Sequence, residues 1–372
     1  MTKHIIVDDA VPYAKEMFSS LGEVTCLPGK EIKASHLKQA DALIIRSRTN
    51  INATLLKNSS INFIGSTVVG LDHVDQTYLK QQKIKFYSAQ GCNANSVAEY
   101  IITCIVNHAE ENHLQLNTKT LGIIGVGNVG KQLQKKAQAL GLTILANDPP
   151  RQQQENLPNF TTLEQALTAD IVSFHTPLTS HGDFPTDKLL NKNNFSLINK
   201  QALLINAARG GIIEESAWIN YANQTPTLTN VIDCWENEPN INPALAKIAK
   251  LTTPHIAGHA FEAKIKGSHM VYQSLCNHWN EPENNQWKIK LIAKPQPIKL
   301  TDTTPQKTIK QLLSQCYQPT KDHQAINITN PLDFEHYRRH YPIRREWTEY
   351  SVLTTKDDTL NQVIKKLGFT LI

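Results

Sequence analysis

The chain has 372 residues, 40% of them hydrophobic and 19% charged, with a net charge of +5. That balance excludes a disordered chain, and no run of 18 apolar residues offers a membrane span. Six scattered cysteines without CxxC spacing exclude a disulfide scaffold and point to reduced thiols in a cytoplasm. The surplus charge is local: residues 286–372 carry 14 Lys/Arg against 8 Asp/Glu, whereas the remainder is near balance. No nucleic-acid motif accompanies this basic tail. The reading favoured is therefore an interaction or dimer-forming module, with neither nucleic acid nor membrane as partner.

The chain begins MTKHIIVD, which turns acidic after one short apolar run. That reads as a first strand rather than a signal peptide. Further apolar runs at 42–45, 62–65 and 84–86 predict strands, with helical patterns at 13–21 and 53–56 between them. This alternation predicts an α/β domain. Residues 94–109 carry apolar side chains at helical spacing over four turns, long enough to connect two domains. A second α/β unit follows, with strands predicted at 121–125, 143–147, 171–175, 202–206, 228–232 and 251–253. Right-handed crossovers then imply a mostly parallel, doubly wound sheet. KPQPIKL at 294–300 reads as a linker. Beyond it, helices at 306–317, 333–340 and 358–367 and strands at 325–328, 350–353 and 369–372 predict a small α+β domain.

Gly125-Val126-Gly127-Asn128-Val129-Gly130 is a GxGxxG between an apolar strand and an amphipathic helix. The first glycine allows the tight turn. The second lets the backbone approach a pyrophosphate, and the third lets helix pack on strand. The helix N-terminus adds free N–H groups and partial positive charge. Asp148 ends the next predicted strand, where a carboxylate accepts from ribose hydroxyls and repels a 2′-phosphate, so NAD is the expected cofactor. Arg151 stands close enough in sequence to offset that selectivity.

Three polar groups follow predicted strands: Arg209 in NAARGG, Glu238 in DCWENEP and His255 in TPHIAG. Removing hydride from a hydroxyl-bearing carbon requires a base for the O–H proton, and imidazole suits that task. A carboxylate beside it fixes the tautomer, and an arginine grips a substrate carboxylate. No Cys/His spacing resembles a metal site. Trp218, Trp235, His73 and His175 read as structural, His175 as a hydrogen-bonder.

NAARG, DCWENEP and TPHIAG behind GVGNVG resemble the D-2-hydroxyacid dehydrogenase family. The resemblance implies a Rossmann-type NAD-binding domain at 96–257. It also implies a flavodoxin-like α/β substrate domain at 1–95, completed by 258–285, and a site in the cleft between the two. It makes His255 the proton donor or acceptor, Glu238 its orienting partner and Arg209 the carboxylate binder. It further implies that Asp148, Thr176, Ala207, Ala208, Arg209, Asp233 and Gly258 contact NAD and that Ser47 contacts substrate. The segments IIRSRT, INFIGSTVVGLDHVD, GCNANSVAEY, NDPPR and FHTPL, with RREW near the C-terminus, narrow the resemblance to one branch. That branch oxidises a phosphorylated hydroxy acid in vitamin B6 synthesis and carries a C-terminal dimerisation domain, expected here at 286–372.

The family usually has Thr where this chain has Val68, with Ser66 or Thr67 as the nearest replacement hydroxyls. It usually has Tyr at the substrate-contacting position held here by His259. Charge provides a further argument. A phosphate with a carboxylate needs cations, and Arg46 and Arg48 flank Ser47 at a strand end; Arg344 and Arg345 form a second candidate pair. The competing readings are another 2-hydroxyacid dehydrogenase, such as one acting on 3-phosphoglycerate, and an NAD-binding regulator.

Overall fold

The structure, a computed structural model, describes residues 2–156, 160–301 and 304–372. Two compact units share the chain by exchange: residues 1–93 with 260–293, and residues 94–259 with 294–372.

In the first unit, strands β1 (His4–Asp8), β2 (Glu23–Leu27), β3 (Ala42–Ile45), β4 (Phe63–Ser66) and β5 (Lys85–Ser88) pair in the order β2-β1-β3-β4-β5. Every pairing is parallel. β3 and β4 are buried along their whole length, which is why they read as unbroken apolar runs. Sequential order reverses between β1 and β3, so the crevice at their carboxyl ends is this sheet's natural ligand position. The helix Phe261–Trp279 returns from late in the chain, and its Val271, Tyr272 and Leu275 join the core under β1 and β3.

Two expectations fail here. Residues 53–56 form turns instead of a helix. Asn52 accepts the Leu55 N–H and Asn58 takes φ 58°, which close one turn with no amphipathic stripe to extend it. The predicted helix at 13–21 is cut to Ala14–Phe18, and β2, unforeseen, follows it.

The second unit holds β6 (Thr120–Ile124), β7 (Thr143–Asn147), β8 (Ile171–Phe174), β9 (Leu203–Asn206), β10 (Thr229–Ile232) and β11 (Leu251–Thr252). They form one parallel sheet in the order β11-β10-β9-β8-β6-β7. Its switch point lies between β6 and β8. The predicted connecting helix is Ala94–Glu111, and its Ile101, Ile102 and Ile105 are fully buried.

The tail contributes the helices Pro305–Cys316, Pro319–Ala325, Pro331–Arg339 and Asp358–Leu367. It adds a parallel pair, β12 (Ser351–Val352) with β13 (Thr370–Leu371). The strand expected at 325–328 is absent: Pro319 starts a helix that runs through Ala325, and a turn follows. Ile309, Leu312, Leu313, Trp347, Ile364 and Leu367 of the tail lie in one core with Ile101, Ile105 and Leu133. Buried polar groups fasten the same junction. Glu346 accepts from Asn95 and Ser96, Glu99 accepts from the Trp347 N–H, and Lys136 donates to the Leu367 carbonyl. Burial pushes Glu99 up to about 8.

Candidate active site

The Gly-rich turn follows β6 at the switch point. Gly125 has φ 90°, and a side chain there would meet the backbone of His175 and Thr176 at 2.9 Å. Gly130 faces the Gly125 carbonyl so closely that a Cβ would lie 2.2 Å from it, whereas nothing stands within 4 Å of a Cβ on Gly127. First and third glycines thus close the turn, and the second leaves room above the N-terminus of the helix Asn128–Ala139, where Asn128 and Val129 begin the first turn. Across the switch point, Thr176 Oγ1 and both ring nitrogens of His175 are buried without a hydrogen-bond partner among the described residues. His175 is therefore not the hydrogen-bonder expected of it; burial lowers it to about 3, so the ring is neutral. An open approach over Gly127 beside unanswered polar atoms suits a dinucleotide. Tryptophan at position 127 would fill that space, and Gly127→Trp is expected to abolish NAD binding in a titration of protein fluorescence while the fold persists.

Asp148 caps the next helix. Its carboxylate accepts from the Val126 N–H at 2.7 Å and the Arg151 N–H at 3.1 Å, tying the Gly-rich turn to the end of β7. Arg151 is itself engaged by Glu155 at 2.6 Å and by the Val126 carbonyl at 2.7 Å.

Ends of two neighbouring strands, β10 and β11, bring the acid–base candidates together. His255 Nδ1 lies 2.9 and 3.0 Å from the two carboxylate oxygens of Glu238. The Trp235 N–H donates to the same carboxylate at 3.0 Å. Burial pushes Glu238 up, but the facing His255 and Arg338 and the Trp235 N–H outweigh it, leaving Glu238 below its ordinary value. Glu238 is thus a carboxylate at neutral pH, able to hold His255 in the tautomer that carries its proton on Nδ1.

Buried Asp233 sets where His255 stands. Its carboxylate accepts from Thr253 Oγ1 at 2.6 Å and from the N–H groups of Ile256 at 2.7 Å and Ala257 at 3.1 Å. The His255 N–H donates to the Asp233 carbonyl at 2.8 Å. His255 takes φ 56° inside this clamp, a conformation held only because its neighbours over-determine it. Gly258 and His259 continue the segment, and His259 meets Tyr341 edge-on at 5.8 Å between ring centroids.

Arg209 follows β9 together with Ala207 and Ala208. Asn206, which the sequence did not single out, braces two of the loops: its amide donates to the Arg209 carbonyl at 2.9 Å and the Cys234 carbonyl at 3.4 Å. A polar residue at the buried end of an apolar strand was the available signal. Trp235 and Trp218 are packing groups, each with its indole N–H satisfied, by the Thr253 carbonyl and by Asn230. The fold also brings Cys234 Sγ to within 4.8 Å of the Glu238 and His255 ligand atoms, a grouping that sequence spacing hides. Burial pushes that thiol well up, and Glu238 and His255 satisfy each other, so the trio reads as an acid–base pair beside a neutral thiol.

The first unit carries the remaining candidates. Arg46 and exposed Ser47 follow β3 at its switch point, and Arg46 donates to the Ala10 carbonyl after β1 at 2.9 Å. Val68 lies half-buried in the turn after β4. The neighbouring hydroxyls do not replace a hydroxyl at Val68. Ser66 Oγ donates to the Val68 carbonyl and Thr67 Oγ1 to the Ile45 carbonyl, both from buried positions. Arg344 is engaged within its own unit. It is 7% exposed, donates to the Ala257 carbonyl and stacks over Tyr317, while Arg345 pairs with Glu349 at 3.3 Å.

Residues 93–257 match the NAD-binding domain of D-isomer specific 2-hydroxyacid dehydrogenases. Residues 292–368 match a domain described only as of unknown function. The chain is 54% identical to an erythronate-4-phosphate dehydrogenase from Hydrogenovibrio crunogenus over 100% of this chain and 99% of that one. To the protein of the same name from Proteus mirabilis it is 38% identical, over 98% of each chain. Among solved structures, NAD+-bound 3-phosphoglycerate dehydrogenase of Entamoeba histolytica superposes with a TM-score of 0.65 at 24% identity, covering 75% of this chain and 96% of that one, a likeness of fold. With its Gly-rich turn and full-length similarity to these relatives, the chain belongs to the erythronate-4-phosphate dehydrogenase family of NAD-dependent D-isomer specific 2-hydroxyacid dehydrogenases.

Proposed function

We propose that the protein oxidises the C2 hydroxyl of 4-phospho-D-erythronate, giving 3-hydroxy-2-oxo-4-phosphobutanoate in pyridoxal phosphate synthesis, a cytoplasmic pathway. The observation that carries the chemistry is the His255–Glu238 pair, closed at 2.9 Å in the same unit as the dinucleotide turn. The Gly-rich turn and Asp148 would hold NAD, which when bound would supply the hydride acceptor for C2. His255 Nε2, left over once Nδ1 faces Glu238, takes the hydroxyl proton as the C=O bond forms. Glu238 steadies the imidazolium so produced. Arg209 holds the substrate carboxylate. On the first unit, Arg46 and Ser47 are the groups we assign to the phosphorylated end; Val68 of that unit and His259 of the second are assigned to the rest of the substrate.

The test is NAD reduction with 4-phosphoerythronate beside 3-phosphoglycerate, D-lactate and glycerate, with a trap for the 2-oxo acid. Preference for 4-phosphoerythronate is the expected result. Preference for another acid would keep the roles of His255, Glu238 and Arg209 and discard the substrate. NADH binding without turnover on any acid would favour a regulator.

We further propose that the tail pairs two copies of the chain. Its surface leaves Leu332 78%, Ile343 66% and Ile372 54% exposed, apolar side chains that a partner face would cover. Light scattering on a size-exclusion column should give a dimer mass, and Leu332→Glu with Ile343→Glu should give the monomer. An unchanged dimer in the double variant would move the interface elsewhere.

A further inference from the structure

We propose that Arg338, in the tail segment whose domain match is one of unknown function, is a positioning residue of the catalytic pair that keeps Glu238 ionised beside His255. Its guanidinium Nη1 stands 3.8 Å from Glu238 Oε2, with only 17% and 18% of the two side chains exposed. At that separation a cation favours the carboxylate over the carboxylic acid, and partial burial limits screening.

The position of Arg338 is built. It sits in the last turn of the helix Pro331–Arg339, whose Phe334 is fully buried. Asn330 caps that helix by accepting the Leu332 N–H. Tyr337, on the same helix, donates to buried Asp322 at 2.7 Å; Tyr317 and Tyr341 donate to that carboxylate at 2.6 and 2.8 Å. His323, next to Asp322, hydrogen-bonds the hydroxyl of Thr252 at 2.8 Å. Thr252 ends β11, the strand that leads to His255. The tail thus grips the strand that presents the base and lays a guanidinium against the partner of that base.

The charged and titratable groups facing the pair come from every element around it. Arg209 follows β9, Asp233 and Cys234 follow β10, His255 follows β11, and Arg338 comes from the tail helix. Asp233 is committed to the backbone of 256–257. Arg209 is assigned to substrate. Arg338 contacts Glu238 itself.

This inference rests on the assignment of His255 and Glu238 as the acid–base pair, and the experiment separates the two. The readout is the pH profile of hydroxy-acid oxidation. Removing the guanidinium makes the pair bind its proton more readily, so the acid limb moves to higher pH. We expect Arg338→Met to raise the midpoint of that limb by roughly 0.5–1 pH unit, with NAD affinity unchanged. Arg338→Lys, which keeps the charge, should restore most of the shift; a merely structural Arg338 would lower the rate at all pH values without moving the midpoint. Arg338→Gln stands in if the methionine variant does not fold. An acid limb identical to wild type in the neutral variant overturns the inference while His255→Asn remains inactive. If His255→Asn keeps wild-type turnover, the acid–base assignment itself falls.

Discussion

Replacing His255 by Asn lowers hydroxy-acid oxidation by about 10²–10⁴-fold, the range expected when a positioned base is removed, and leaves NAD affinity nearly unchanged. Asparagine keeps a polar group of similar reach and accepts the left-handed backbone that His255 adopts at φ 56° better than most residues. The loss is therefore chemical and does not come from collapse of the loop. Glu238, buried beside it, loses its closest partner and becomes easier to protonate, because His255 is the largest of the influences that hold it low. Steady-state turnover and an NAD titration on the same preparation check both halves. Wild-type turnover in the variant would remove His255 from the mechanism.

Replacing Asp233 by Ala produces the largest combined effect on stability and rate. The substitution strands two buried donors at once, the Ile256 and Ala257 N–H groups, while the Thr253 hydroxyl turns to Tyr100 Oη at 2.8 Å. Each unsatisfied group costs about 1–3 kcal/mol, so a total of at least about 2 kcal/mol is expected. In a domain of this size that lowers the melting temperature by about 4–8 °C. Turnover falls with it by at least about 10²-fold, because the clamp that fixes His255 is gone and small misplacements of a catalytic group are expensive. Asp233→Asn should be intermediate, since one oxygen still accepts while its NH₂ opposes an N–H. Calorimetry with turnover on both variants tests the ordering. Unchanged melting in the alanine variant would show that the segment 253–257 is held by something else.

The Gly-rich turn and the three loops after β9, β10 and β11 were legible because each couples an apolar strand to polar residues at a fixed offset. β3, β4 and the Rossmann strands were legible for a related reason: buried parallel strands write themselves as short apolar runs. β2 was not, since Glu23–Leu27 has no fully buried residue and so no apolar signature. The turn at 52–58 imitated a helix because four residues cannot display a period. Ser66 and Thr67 looked like substitutes for the hydroxyl missing at Val68 because sequence adjacency says nothing of direction, and both point at backbone carbonyls. Arg344 looked like a phosphate ligand because charge is visible and burial is not. Arg338 was invisible as a neighbour of Glu238, since a hundred residues of chain separate them and only the packing of the tail brings them within 4 Å.

The way the two units share the chain has a consequence for synthesis. The first unit is complete only when residues 260–293 have followed residues 1–93, and the second only when 294–372 have followed 94–259. On a ribosome the opening sheet must wait for about 200 further residues, on the order of 10–40 s at ~5–20 residues per second, before the helix Phe261–Trp279 reaches it. During that interval the face that Val271, Tyr272 and Leu275 will cover is bare. The strand Thr370–Leu371 and the helix before it belong to the core of the dinucleotide sheet, so that core closes only after residues 358–371 have been made. A nascent chain stalled before residue 260 therefore displays two unfinished apolar faces, and one stalled between 294 and 358 still displays the second; chaperones that read such faces are its natural escorts.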